Sequence, residues 1–109
     1  MLIMKELLDM EYNEEEGVFK THCKCYGKIC ELAMTNGVFT NFISMEVIEK
    51  LHIPRTTLKK PYRVQGWNEK NIVEITKKAC IPFRIGAHEV VLWFDIFLKM
   101  ECHLILGRK

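Results

Sequence analysis

The sequence predicts an all-β domain, a small barrel of short strands with one short helix. Three observations carry that expectation. From Gly17 onward, short runs of mixed apolar and polar residues read as strands. Turn chemistry at Gly27-Lys28, Thr35-Asn36-Gly37 and Gly86-Ala87-His88 separates those runs. Only the stretch after Ser44 has convincing helical spacing. The 109 residues allow one domain, and 49% hydrophobic with 28% charged residues is an ordinary globular balance. No apolar run reaches the roughly 18–20 residues of a membrane-spanning helix, because residues 90–94 are followed by Asp95. Lys5 and Glu6 come too early for a secretory signal. The expected protein is intracellular, cytoplasmic or nuclear, and neither secreted nor membrane-bound.

The elements follow in order. Residues 1–16 read as an acidic leader, helical or disordered. Leu2, Ile3, Leu7 and Leu8 have rough helical spacing, which Asn13 and the glutamates at 14–16 then end. Residues 17–109 form the single domain. Residues 18–26 and 29–34 are strands joined by a tight turn, and Thr35-Asn36-Gly37 is a second turn. Ser44 is the expected N-cap, Glu46 sits in the first turn, and Val47, Ile48 and Leu51 share a face that Pro54 terminates. Residues 62–67 and 72–81 are strands with a polar hairpin tip at 68–71. Pro82-Phe83-Arg84-Ile85 leads into the Gly86 turn, and residues 90–98 form an apolar strand. Residues 103–106 make a last short strand that ends in Gly107-Arg108.

Charge is unevenly spread. Residues 1–19 hold six acids against Lys5, a balance of −5, and the rest of the chain carries +7. The bases are spaced along strand-like segments, which solvated strand faces explain, so nucleic acid is not the favoured partner. Five cysteines, an odd number, read as reduced thiols. His22, Cys23 and Cys25 with Cys102-His103 would be a zinc set, yet Cys-x-Cys is not the usual knuckle spacing. In a strand Cys23 and Cys25 share one face and act as small apolar groups. No metal and no cofactor is expected. Trp93 and Phe94 point to opposite faces, so one should be exposed. Trp67 is expected to pack in the core.

The ordered series of short motifs resembles a known family. It runs through Val18-Phe-Lys-Thr-His-Cys, Gly27-Lys-Ile-Cys-Glu-Leu, Gly37, Asn41-Phe-Ile-Ser44 and Lys50-Leu51. It continues through Pro61-Tyr62, Gly66-Trp67, Val73-Glu-Ile-Thr-Lys, Pro82-Phe-Arg-Ile-Gly86 and Cys102-His-Leu-Ile-Leu-Gly-Arg108. This looks like the aspartic protease region of plant Ty3/gypsy retrotransposon polyproteins. The resemblance implies a closed retropepsin-like β-barrel that works as a homodimer. Each copy would give one aspartate from an Asp-Ser/Thr-Gly loop, and the two would share a proton. A hairpin flap carrying Tyr62, Gly66, Trp67 and Asn68 would close over an extended peptide or protein segment.

One departure decides the expected chemistry. The motif puts the aspartate at Thr35, so the triplet reads Thr35-Asn36-Gly37. A hydroxyl and a neutral amide cannot do general base work at ordinary pH. Asp9, Asp95 and Glu31 fall outside the loop and restore no dyad. In the family an acid soon after the glycine pairs with the arginine of the terminal Gly-Arg. Here Val38, Phe39 and Thr40 occupy those positions, leaving Gly107 and Arg108 a structural role without that partner. Family members also continue past the position of Lys109, which implies that a terminal interface strand is missing. The reading is a degenerate copy without peptidase activity that retains peptide or partner binding. The alternatives are a functional aspartic endopeptidase by descent, which would process a polyprotein, and a zinc- or nucleic-acid-binding module.

Overall fold

Among the described residues, hairpins and crossovers arrange eight strands in one curled sheet. The structure, a computed structural model, describes residues 11–13, 18–65, 72–98, 100 and 102–107. Along the chain lie β1 (Glu11–Asn13), β2 (Val18–Cys25), β3 (Lys28–Thr35), β4 (Phe42–Ser44) and α1 (Met45–Lys50). β5 (Thr56–Gln65), β6 (Ile72–Ile85), β7 (His88–Phe97) and β8 (Leu104–Leu106) follow. The spatial order is β1-β2-β3-β8-β4-β7-β6-β5. β8 runs parallel to β3 and β4 parallel to β7, so the two short strands are threaded between the long hairpins. β2 also meets β6 through Lys24↔Arg84 and Cys25↔Phe83. The expected barrel is thus a strongly curled sheet with a seam two residue pairs long.

Several boundaries differ from the sequence reading, each for a local reason. The first turn is Tyr26-Gly27, one residue early. Both have positive φ (53° and 79°), the twist that a two-residue antiparallel hairpin needs. α1 begins as expected, with Ser44 Oγ accepting the Glu46 N–H at 3.2 Å. It ends not at Pro54 but at Leu51–His52, where His52 turns left-handed at φ 53°. β5 starts at Thr56, well before Tyr62, and its register with β6 shifts between Thr57 and Tyr62. That irregularity surrounds Lys59-Lys60-Pro61, which hid the strand in the sequence. β6 runs unbroken through Pro82. There it has β7 on one side only, since β5 pairing stops at Lys78 and β2 pairing starts at Phe83. A missing N–H on the open side interrupts no ladder. β1 places residues 11–13, within the acidic segment, against β2. The expected hairpin tip at 68–71 lies outside the described residues.

The interior has two parts. The larger packs Cys23, Cys25, Cys30, Leu32, Ile43, Ile48, Ile81 and Phe94 with their neighbours, and α1 covers it with Val47 and Ile48. The smaller gathers Ala33, Phe42, Ile75, Phe97 and Ile105, with Val38, Leu58, Tyr62 and Val64 partly buried against it. Strand alternation places Cys23 and Cys25 inward together, as expected of apolar thiols. Phe94 is buried and Trp93 half exposed, also as expected.

Burial pushes the Cys23 thiol up to about 12 and Cys25 up to about 11, and the neighbouring Cys30 adds to both. Cys30 is raised by the same burial, against a hydrogen bond from Cys25 that favours its thiolate. Cys80 is exposed and Cys102 half-buried. Aromatic disulfide reagents at pH 8 should therefore modify Cys80 at once and Cys102 more slowly. The three core thiols should react only after denaturation, as a time course by mass spectrometry would show. Because the fold holds these thiols neutral, the preference is complete below the ordinary value of 9.0. It fades as pH rises through the raised values, so thermal stability should fall above about pH 9.

Candidate functional site

The loop between β3 and β4 is the obvious place to look, because it carries the Thr35-Asn36-Gly37 triplet. Thr35 ends β3, opposite Val18 of β2. Its Oγ1 accepts the Gly37 N–H at 3.0 Å, a local bond that closes the turn without any titratable group. Asn36 and Gly37 are exposed. A Cβ on Gly37 would come within 3.3 Å of that same hydroxyl oxygen, so a compact residue suits the position.

The loop is anchored by Asn41, which is 7% exposed. Its amide Nδ2 donates to the Trp93 carbonyl at 3.2 Å, and its Oδ1 accepts the Gly107 N–H at 3.0 Å. Its carbonyl accepts the Asp95 N–H at 2.9 Å. One side chain and its own backbone thus join the loop, β7 and the segment after β8. Gly107 is pressed onto the loop backbone: a Cβ there would stand 2.2 Å from the Thr40 carbonyl oxygen. Of the two residues expected to be structural, Gly107 has a visible reason; Arg108 lies outside the described residues.

Above the loop lies the strand that the resemblance assigns to the flap. Tyr62 of β5 reaches over the smaller core and donates its hydroxyl to Asp95 Oδ2. Its ring meets Phe39 at 5.6 Å between centroids, and Phe39 in turn meets Phe42 at 6.1 Å. Phe39 is 54% exposed, so an aromatic surface faces outward between loop and strand. Burial, followed by the hydrogen bond and the negative charge of Asp95, pushes the Tyr62 phenol well above its ordinary value. Gly66, Trp67 and Asn68, also expected in the flap, lie outside the described residues.

Sequence alone singles out Tyr62, weighs Asp95 only as a substitute acid and Phe39 only as the occupant of an expected acid position, and does not bring the three together. An isolated aspartate in an apolar strand was the available signal, because a half-buried carboxylate needs a donor. Asn41 was quoted only as part of a motif; a polar residue directly before Phe42-Ile43 was the corresponding hint. The zinc set does not assemble. His103 Nδ1 accepts the Glu31 N–H at 2.8 Å, so its lone pair is engaged. Cys102 packs with the smaller core and Cys23 with the larger. Among the described residues no group of three or more metal-ligating side chains converges.

Chemically, the loop offers neutral donors and acceptors beside an aromatic wall, with one carboxylate already bound by a phenol. That arrangement offers hydrogen bonds and apolar contacts, and the 35–41 loop carries no acid that could activate water.

No protein-family model and no curated protein matches the sequence. Solved structures do match by shape. The crystal structure of a retropepsin-like aspartic protease from Rickettsia conorii superposes with a TM-score of 0.56 at 12% identity, over 90% of this chain and 71% of that one. The retroviral protease-like domain of Ddi1 from Leishmania major gives 0.57 at 11% identity, over 81% and 70% respectively. At that identity the likeness establishes the fold: the chain is retropepsin-like in architecture.

Two tests of this geometry follow from its bonds. Asn41→Ala leaves the Gly107 N–H and the Trp93 carbonyl without partners, and Gly107→Ala forces the Thr40 backbone to move. Each should lower stability by about 1–3 kcal/mol in urea unfolding. Tyr62→Phe should cost about 1–2 kcal/mol through the bond lost to Asp95. In the natural chain Tyr62 should stay protonated beyond the ordinary tyrosine range, readable as a phenolate absorbance that is still incomplete there. Its stabilising preference for the neutral form holds below about pH 10 and is lost only as the pH passes the raised value.

Proposed function

We propose that this chain is a degenerate retropepsin-like domain of Ty3/gypsy-type retrotransposon origin, of the kind found in plants, without peptidase activity of its own. Its retained capacity is to hold a peptide or protein segment between the 36–41 loop and β5. The observation that carries the reading is Thr35 at the head of a loop that contains no acid from 35 to 41. Its hydroxyl is spent on the Gly37 N–H. The shared fold supports the coarse class, and the order of the sequence motifs supports the origin. Aspartic protease chemistry needs two carboxyl groups that share one proton, one as acid and the other as base toward water. A homodimer of this chain brings two threonines together, which bind water but do not deprotonate it. A heterodimer with an intact copy has one aspartate and no dyad. The aromatic surface of Phe39 and Tyr62 provides the apolar contact an extended peptide would use, and backbone pairing would supply the rest.

The competing reading is an active endopeptidase by descent. Incubating the purified protein with a broad peptide library from pH 4 to pH 7 separates the two. No cleavage above background is expected, and cleavage that an aspartic-protease inhibitor abolishes refutes the proposal. Thr35→Asp locates the defect. Cleavage gained by that variant alone, on the order of 10²-fold or more over background, means that only the carboxylate is missing. Inactivity of both would extend the loss to the positions of Val38, Phe39 and Thr40.

A further inference from the structure

A second surface, away from the loop, combines apolar exposure with unbalanced positive charge. On the outward side of β6 and β7 the register sets Cys80 opposite Trp93, Pro82 opposite Val91 and Arg84 opposite Glu89. Directly opposed residues share a face. Arg84 is also opposite Lys24 of β2, and Lys24 is opposite Ile29 of β3, so one strip crosses four strands. Val91 is 62%, Ile29 70% and Trp93 50% exposed. Where the strip meets the β2–β3 turn, a cleft of about 370 Å³ opens. Tyr26, Pro82, Val90 and Val91 give its apolar lining, and Lys24 and Arg84 stand among them. That volume falls in the range of real ligand pockets.

The charges on the strip do not cancel. Glu89 is held by Arg84 at 3.1 Å, and Asp95, farther along β7, is held by Tyr62. Lys24 stands at the cleft, and Lys78 lies over the Trp93 ring at 4.7 Å from its centroid. A ligand that fits must bring an apolar group for the cleft and anions for the lysines.

We propose that this strip is a docking site for an extended segment of a partner protein in which an apolar and an acidic side chain lie two residues apart. The apolar side chain enters the cleft against Pro82 and Val91, and the carboxylate next along the same face meets Lys24. The segment then runs along Val91 toward Trp93 and Lys78. The spacing of two is required because an extended chain presents every second side chain to one face. A second copy of this chain meeting the strip through the same face would set lysine against lysine. A nucleic acid would satisfy the lysines but leave Val91 and Pro82 without apolar contacts. The strip uses neither the 36–41 loop nor Tyr62, so it stands apart from the peptide groove proposed above.

The test is fluorescence anisotropy with a labelled peptide repeating Leu-Ser-Glu-Ser, which puts Leu and Glu on one face when extended, beside a peptide of equal length repeating Leu-Ser-Lys-Ser. The acidic peptide should bind at least about tenfold more tightly, and more weakly as salt rises. Val91→Asp, and separately Lys24→Glu, should each weaken it about tenfold or more, with far-UV circular dichroism confirming the fold. Both changes are on exposed side chains, so the fold should survive them. Phe39→Ser, on the exposed aromatic surface of the 36–41 loop, should leave the affinity unchanged. Equal binding of the basic peptide, no binding of either, or indifference to Val91→Asp would overturn the proposal. Loss of binding in Phe39→Ser would also overturn it by moving the peptide to the groove.

Discussion

Asn41 is the constraint on which the rest of the architecture depends. Two short strands, β4 and β8, must be threaded between the long hairpins, and three residues each is too little ladder to fix them alone. The Asn41 amide fastens the loop to Trp93 on one side and Gly107 on the other, while its carbonyl takes the Asp95 N–H. The Ser44 N–H bonding to the His103 carbonyl at 2.9 Å continues the same stitching into the start of α1. An amide can do this because it donates and accepts at once, and burial makes both bonds obligatory. Gly107 is the steric counterpart, since only a residue without a Cβ tolerates the approach of the Thr40 carbonyl.

With the loop held in this way, the smaller core forms a bridge from the loop to β5. Phe39, Phe42, Phe97 and Tyr62 touch edge to face, and the Tyr62 hydroxyl finds Asp95 beneath. This bridge has consequences for chemistry. Asp95, the carboxylate beneath this aromatic bridge, is committed to a phenol, and the phenol is itself made harder to ionise. The Thr35-Asn36-Gly37 turn keeps its geometry through the Thr35 hydroxyl. The backbone shape there needs only a side-chain acceptor and a glycine, and no carboxylate.

Much of the fold was legible in the sequence. Cys23 and Cys25 share a face in any extended strand, so their joint burial followed from alternation. Ser44 with Glu46 marked the helix start, and Trp93-Phe94 had to divide between inside and outside. The misreadings cluster where tertiary neighbours override local chemistry. Pro82 read as a strand end, but β6 has a vacant side just there. The strand expected from residue 62 starts at Thr56, because the register shift of β5 accommodates Lys59-Lys60-Pro61 at a sheet edge. Pro54 read as the helix stop, but His52 had already reversed the chain.

The sequence by itself determined a β-rich domain, its inward thiols and a 35–41 segment without an acid, because strand alternation and residue chemistry are local properties. Only the tertiary structure decided the partners: Asn41 with Trp93 and Gly107, Tyr62 with Asp95, and His103 with the Glu31 N–H. Those pairs are 52, 66, 33 and 72 residues apart in the chain. No periodicity encodes contacts at such separations. They arise when the sheet curls until β2 meets β6, and a buried polar group then takes whichever partner the curl brings within reach.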